Sequence, residues 1–167
     1  MKNMKKLIIS VIVFSLAFLF LANASSGEVK KPMVKYPEGY RNWGHVKSMV
    51  IQQGHPLYES FGGIHHIYAN DKALKAMKSG KLYPDGAVLV FDLLEAKSDN
   101  NATVEDKRKI VGVMEKNTKK FAETGGWGFE GFKGDTKERA VTDPKNACFS
   151  CHEPQKATDF TFSKYRN

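Results

Sequence analysis

Pro84-Asp85-Gly86-Ala87-Val88-Leu89-Val90-Phe91-Asp92-Leu93-Leu94-Glu95 decides the fold class. Three turn residues launch a run rich in β-branched and large apolar side chains, so residues 87–95 read as a strand. A polar stretch, residues 97–106, follows and reads as a loop. Residues 109–115 then form a second apolar run, and two such runs so joined predict an antiparallel pair. Upstream, Gly62-Gly63 leads into a third strand at residues 64–68, ended by Asn70, a good helix N-cap. Residues 71–79 place Ala73, Leu74 and Met77 at helical spacing, with Gly80 where a helix stops. Tyr40-Arg41-Asn42-Trp43, after Pro37-Glu38-Gly39, opens a short helix that His45 ends, and residues 46–52 read as extended. Residues 119–123 form a short helical or irregular link. Residues 125–134 alternate glycine with large side chains, and residues 147–152 make one helical turn. The count predicts an α+β domain, mainly an antiparallel β-sheet with a few short helices.

The chain has 167 residues and a formal net charge of +8. Its start reads as a secretory signal peptide over residues 1–24: Lys2, Lys5 and Lys6, then an apolar run of about 16 residues, then Ala22-Asn23-Ala24 as a cleavage site. That run is shorter than the roughly 20 residues a spanning helix needs, and no later segment approaches it, so no membrane span is expected once the signal is removed. Export to the periplasm is the implied location. Residues 25–35 form a polar N-terminal arm and residues 36–167 a single domain. Three of the lysines precede Ala24, which leaves the exported chain near +5. Its basic residues are scattered and interleaved with acids, as at Glu105-Asp106-Lys107-Arg108-Lys109, which speaks against nucleic-acid binding. A basic surface of this kind suits docking of an acidic redox partner.

The only two cysteines lie in Cys148-Phe-Ser-Cys151-His152. In C-x-x-C-H, two thiols add to the vinyl groups of a haem while the adjacent imidazole binds the iron. Cys148 and Cys151 are thus the expected anchors of one covalent haem c, and His152 the iron ligand. A zinc site would need two further ligands at motif spacing, and there is no third cysteine. A thioredoxin-like dithiol would follow an early strand in a βαβ unit. No methionine or histidine follows His152, which excludes a small electron-transfer cytochrome with a downstream methionine ligand. A sixth protein ligand would have to come from Met33, Met49, Met77, Met114, His45, His55, His65 or His66. Met49, Met77 and Met114 lie in apolar runs and read as core. His65 and His66 are adjacent on a strand and face opposite sides. An open position on a five-coordinate iron is therefore expected, and an open position implies small-molecule chemistry.

YRNWGHVKSMVI, FGGIHHIYAND, PDGAVLVFDLLEAK, GGWGFEGFKGD and ACFSCHEPQK together resemble the cytochrome P-460 family, which includes the cytochromes c′-beta. The resemblance runs from Tyr36 through the terminal motif. It implies a mainly antiparallel β fold, a homodimer, one haem c and a five-coordinate iron. It also implies one of two activities. The P-460 members oxidise hydroxylamine to nitrous oxide or nitrite and pass the electrons to an external acceptor, here expected to be another small cytochrome. The c′-beta members bind nitric oxide without that turnover. In the oxidising members a lysine nitrogen is bonded to a haem meso carbon, and the matching position is read as Lys97; such a bond needs a neutral amine, which burial favours. A distal carboxylate that accepts protons from the substrate is matched to Glu123. The two together imply the oxidising branch. Trp127, Phe129 and Phe132 are left to pack the core or to wall the haem.

Overall fold

Sequential antiparallel pairing builds the protein. The computed structural model describes residues 33–166. The expected signal peptide and all but the last three residues of the expected arm lie outside the described residues. Five strands, β1 (Gly44–Ile51), β2 (Gly63–Ala69), β3 (Val88–Asp99), β4 (Ala102–Lys116) and β5 (Trp127–Lys133), form one sheet in the order β1-β2-β3-β4-β5. Every neighbouring pair is antiparallel. Short helices decorate it: α1 (Tyr58–Phe61), α2 (Asp71–Ser79), a 3-10 turn at Tyr40–Asn42 and another at Ala122–Thr124. The α+β expectation holds. Among the described residues no helix is long and apolar enough to cross a membrane.

The central strand β3 is buried on both faces from Leu89 to Leu94, apart from a partly exposed Phe91, which explains its nearly unbroken apolar run. Alternation divides the sheet into two faces. The first carries Ile67, Ala69, Leu89, Trp127 and Phe129 and packs against Ala73 and Ala76 of α2 and against Phe149. The second carries Val90, Val111, Val113 and Phe132 and packs against Val34, Tyr40 and Phe121. Burying each large apolar side chain on either face contributes about 1.5–3 kcal/mol. Helix α2 has the predicted ends. Asn70 Oδ1 accepts from Ala73 N at 3.0 Å and also from Val88 N at 3.1 Å, so one cap also ties the helix to β3. Gly80 closes the helix at φ 64°, a conformation a side chain would strain.

Four expectations need correction. Residues 97–106 are not a loop: β3 and β4 continue as a two-stranded ribbon to a two-residue turn, Asn100-Asn101, with φ 46° and 62°. That left-handed pair is the hairpin turn asparagine tolerates. Residues 95–105 pair only with one another and are exposed, so they carry polar side chains on both sides and show no alternation to read. His45 does not end a helix; it lies in β1 beside a bulge. Met49 is exposed, not core, because β1 is the sheet's edge and its far end is uncovered. The single turn expected at residues 147–152 is part of a longer helical run through residues 145–158.

Candidate functional site

That run begins after Asp143, whose carboxylate accepts from the Lys145 and Asn146 amides at 3.1 and 3.2 Å. It is wide-wound at Lys145–Phe149, regular at Ser150–His152 (α3), and 3-10 at Glu153–Thr158. Cys148 and Cys151 stand three residues apart, so one helical face presents both thiols. Neither forms a disulfide. Cys148 packs against the first-face core, and burial, then Glu130 and Cys151, push its thiol up to about 11. A redox nucleophile needs the opposite, a thiol pulled down toward neutrality, so Cys148 is not activated for that role. No cluster of three or more metal-binding side chains occurs among the described residues, which removes support for a zinc site.

His152 is held as a ligand should be. Its Nδ1–H donates to the Phe160 carbonyl at 2.8 Å. Its ring lies between Phe129 and Phe162, with centroids 5.0 and 4.9 Å away. Burial lowers its pKa, opposed in part by the Phe160 bond, so the ring is neutral. A neutral imidazole whose Nδ1 is engaged offers the Nε2 lone pair to a metal.

The sheet face beside it is apolar. By register, Leu89, Phe91 and Leu93 of β3 share this face with Ile110 and Met114 of β4 and Phe129 of β5. Gly112 and Gly131 lie in the same row as Phe91, leaving a strip with no side chains of its own. A Cβ at Gly131 would stand 2.7 Å from Ile110 Cδ1, so a side chain there would push the Ile110 tip aside. Phe61 and His65 pack edge-on against Phe91 at 5.9 and 4.6 Å. Trp127 and Phe132 are core on opposite faces, whereas Phe129 touches His152.

Of the remaining histidines and methionines, His65 keeps one ring nitrogen, Nδ1, buried without a partner among the described residues. His65 is buried, held neutral by desolvation, and bonded through Nε2 to the Phe61 carbonyl at 2.5 Å. His66 points to the other face, where it links Ser48 at 2.7 Å to Glu105 at 2.6 Å, and His45 joins Ser48. His55 accepts from the Leu57 amide. Met33 is exposed, while Met77 and Met114 pack against the first-face core.

Lys97 and Glu123, the two residues matched by resemblance, are both exposed. Lys97 is exposed on the ribbon, opposite Val104, and Glu123 is exposed in the 3-10 turn before β5. Neither side chain makes a hydrogen bond or ion pair among the described residues. The structure brings together Cys148, Cys151 and His152, and adds partners the sequence reading missed: the Phe160 carbonyl, Phe162 and, behind them, Asp159. A backbone carbonyl leaves no signature in a sequence, and Asp159 reads there as an ordinary tail residue.

Two free thiols on one helical face, a neutral imidazole whose Nε2 has no hydrogen-bond partner among the described residues, and a largely apolar surface beside them fit a haem c. Cys148 and Cys151 would hold it by thioether bonds and His152 would bind its iron. No curated protein matches the chain. The family model described as Cytochrome P460 matches residues 37–163. That match spans all five strands and the C-x-x-C-H motif, and the chain belongs to the cytochrome P460 family.

Proposed function

We propose that this is an exported c-type monohaem protein that binds nitric oxide, or a similarly small uncharged ligand, opposite His152. One observation carries the reading: the middle of His152's face of the sheet, Leu89, Phe91, Leu93, Ile110, Met114 and Phe129, is apolar, Lys116 on that face is paired with Asp159, and the Lys97 and Glu123 side chains are exposed. The bound haem supplies an iron that can take a diatomic ligand and exchange one electron. His152 would bind its iron, Cys148 and Cys151 would fix the macrocycle, and the wall beside them is apolar apart from His65, which packs against Phe91 and whose buried Nδ1 has no partner among the described residues. A weakly polar diatomic loses little hydration by entering such a site, whereas a ligand that donates and accepts hydrogen bonds loses more unless it gains partners there.

Hydroxylamine oxidation, with electrons leaving to an acceptor cytochrome, is the second reading. It is favoured by strand alternation, which puts Lys97 on the same side of β3 as Phe91 and Leu93. The ferrous optical spectrum of the purified protein separates the two. Nitric oxide binding predicts an ordinary high-spin Soret band, tight nitric oxide uptake, no hydroxylamine turnover and no change in Lys97→Ala. A strongly red-shifted Soret band, lost together with hydroxylamine turnover in Lys97→Ala, would overturn the first reading and establish the second.

A further inference from the structure

Two consecutive residues behind the site, Asp159 and Phe160, adopt left-handed backbone at φ 51° and 62°. Residues with side chains hold that conformation only where their surroundings over-determine it. The restraint begins with Asp159. Its buried carboxylate accepts from Lys116 Nζ at 2.6 Å, from Trp127 Nε1 at 3.3 Å and from the Tyr83 amide at 2.9 Å. Those donors come from β4, from β5 and from the segment after α2, so one side chain ties the turn to three parts of the domain. Around it, the Phe160 amide donates to the Gln155 carbonyl at 2.8 Å. Thr158 and Thr161 bond each other's carbonyls at 2.6 and 2.8 Å. The Phe160 ring lies over Gly125, where an added Cβ would be 2.4 Å away and φ is 65°, so glycine is required on both counts.

The product of this scaffold is one atom in one place: the Phe160 oxygen, 2.8 Å from His152 Nδ1. We propose that Asp159 is a positioning residue for the iron ligand, holding the turn that keeps the Phe160 carbonyl on His152 and so setting how strongly His152 donates through Nε2. The proposal rests on the haem reading above. A hydrogen bond accepted from Nδ1–H raises the basicity of Nε2, strengthens its bond to iron and favours the ferric state. Loosening the turn weakens all three. A carboxylate placed only to stabilise the fold would leave the iron–histidine bond untouched.

The test uses the full haem-loaded protein and two variants with opposite changes of charge, Asp159→Asn and Lys116→Met. Resonance Raman of the ferrous form reads the iron–histidine stretch, and redox titration reads the midpoint potential. Positioning predicts that the stretch moves to lower frequency and broadens in both variants, and that the potential of Asp159→Asn rises. A stretch that stays in place in variants with full covalent haem overturns the proposal. So does a potential that moves in opposite directions in the two variants with the stretch fixed, because that is the signature of charge alone. Trp127→Phe, which deletes the longest of the three contacts, should give a smaller shift of the same sign and decides the matter where the other two do not accumulate. Absence of covalent haem in the unaltered protein would instead sink the haem reading.

Discussion

Asp92 and Asp159 are both buried carboxylates fastened by a cation and a neutral donor, on opposite faces of one sheet. Asp92 accepts from Tyr40 Oη at 2.8 Å and from Arg108 Nε at 2.6 Å, and so pins the chain entering β1 onto the second face. Asp159 accepts from Lys116 and Trp127 and pins the chain leaving the helical run onto the first. The physical device is the same. Its consequence differs because of what stands next to it: beyond Asp92, Arg108 runs out to the exposed Asp135, and beyond Asp159 there is the carbonyl that meets His152.

The most complete way to break that difference is to remove the haem. Cys148→Ala with Cys151→Ala should abolish covalent haem, read as loss of the haem mass increment and of absorbance that survives acid extraction. In that chain Asp92 and Asp159 become alike, each mattering to stability alone. Next in size, Asp92→Ala strands Tyr40 Oη and leaves Arg108 with only its pair to the exposed Asp135, and should cost about 1–3 kcal/mol in urea unfolding. Its iron–histidine stretch should not move; a shift matching that of Asp159→Asn would erase the distinction between the faces.

Titration sharpens the contrast further. His65 and His152 flank the first face, and burial lowers both below the ordinary value of 6.5. The unfolded chain therefore binds more protons than the folded one once pH falls below about 6.5, and stability drops on the acid side. Tyr40 beside Asp92 is shifted the other way, upward, first by burial and then by Asp92. Its contribution is whole below the ordinary phenol value of 10.0 and is lost as pH rises above it. In the haem-free double variant, urea midpoints should fall on both limbs, and Tyr40→Phe should reduce the alkaline fall, to which Tyr68 and Tyr83 also contribute, and leave the acid limb unchanged. A flat acid limb would mean that neither histidine is held neutral. The smallest effect belongs to the surface: Lys133→Gln, breaking an exposed pair with Glu138, should change stability by less than about 0.5 kcal/mol and leave the haem properties alone.

What could be read in advance follows a physical divide. Strands β2 and β3 and helix α2 were legible because burial imposes a period on them: Asn70 and Gly80 sit at the ends where caps belong, and residues 87–95 announce a buried strand. The ribbon was not legible, because residues 95–105 have water on both sides and nothing selects an alternation. The edge position of β1 hid the exposure of Met49, since a strand's apolar content does not reveal whether a neighbour covers it. Within the site, Cys148, Cys151 and His152 declare themselves by spacing that thioether chemistry dictates. Lys97 and Glu123 rested on resemblance, and their side chains lie in solvent. Phe160 acts through its main chain, where every residue type looks the same.

Each strand of the sheet pairs with the strand before it and the strand after it, residues 138–140 cover the outer edge of β5, and none of these backbone bonds involves a residue of the helical run. The sheet therefore closes without the helical run. In time, this means the chain can complete its scaffold while Cys148 and Cys151 remain in the open, within reach of whatever attaches a haem. Docking Phe149 and fastening Asp159 then seal the first face as the last act of assembly rather than the first.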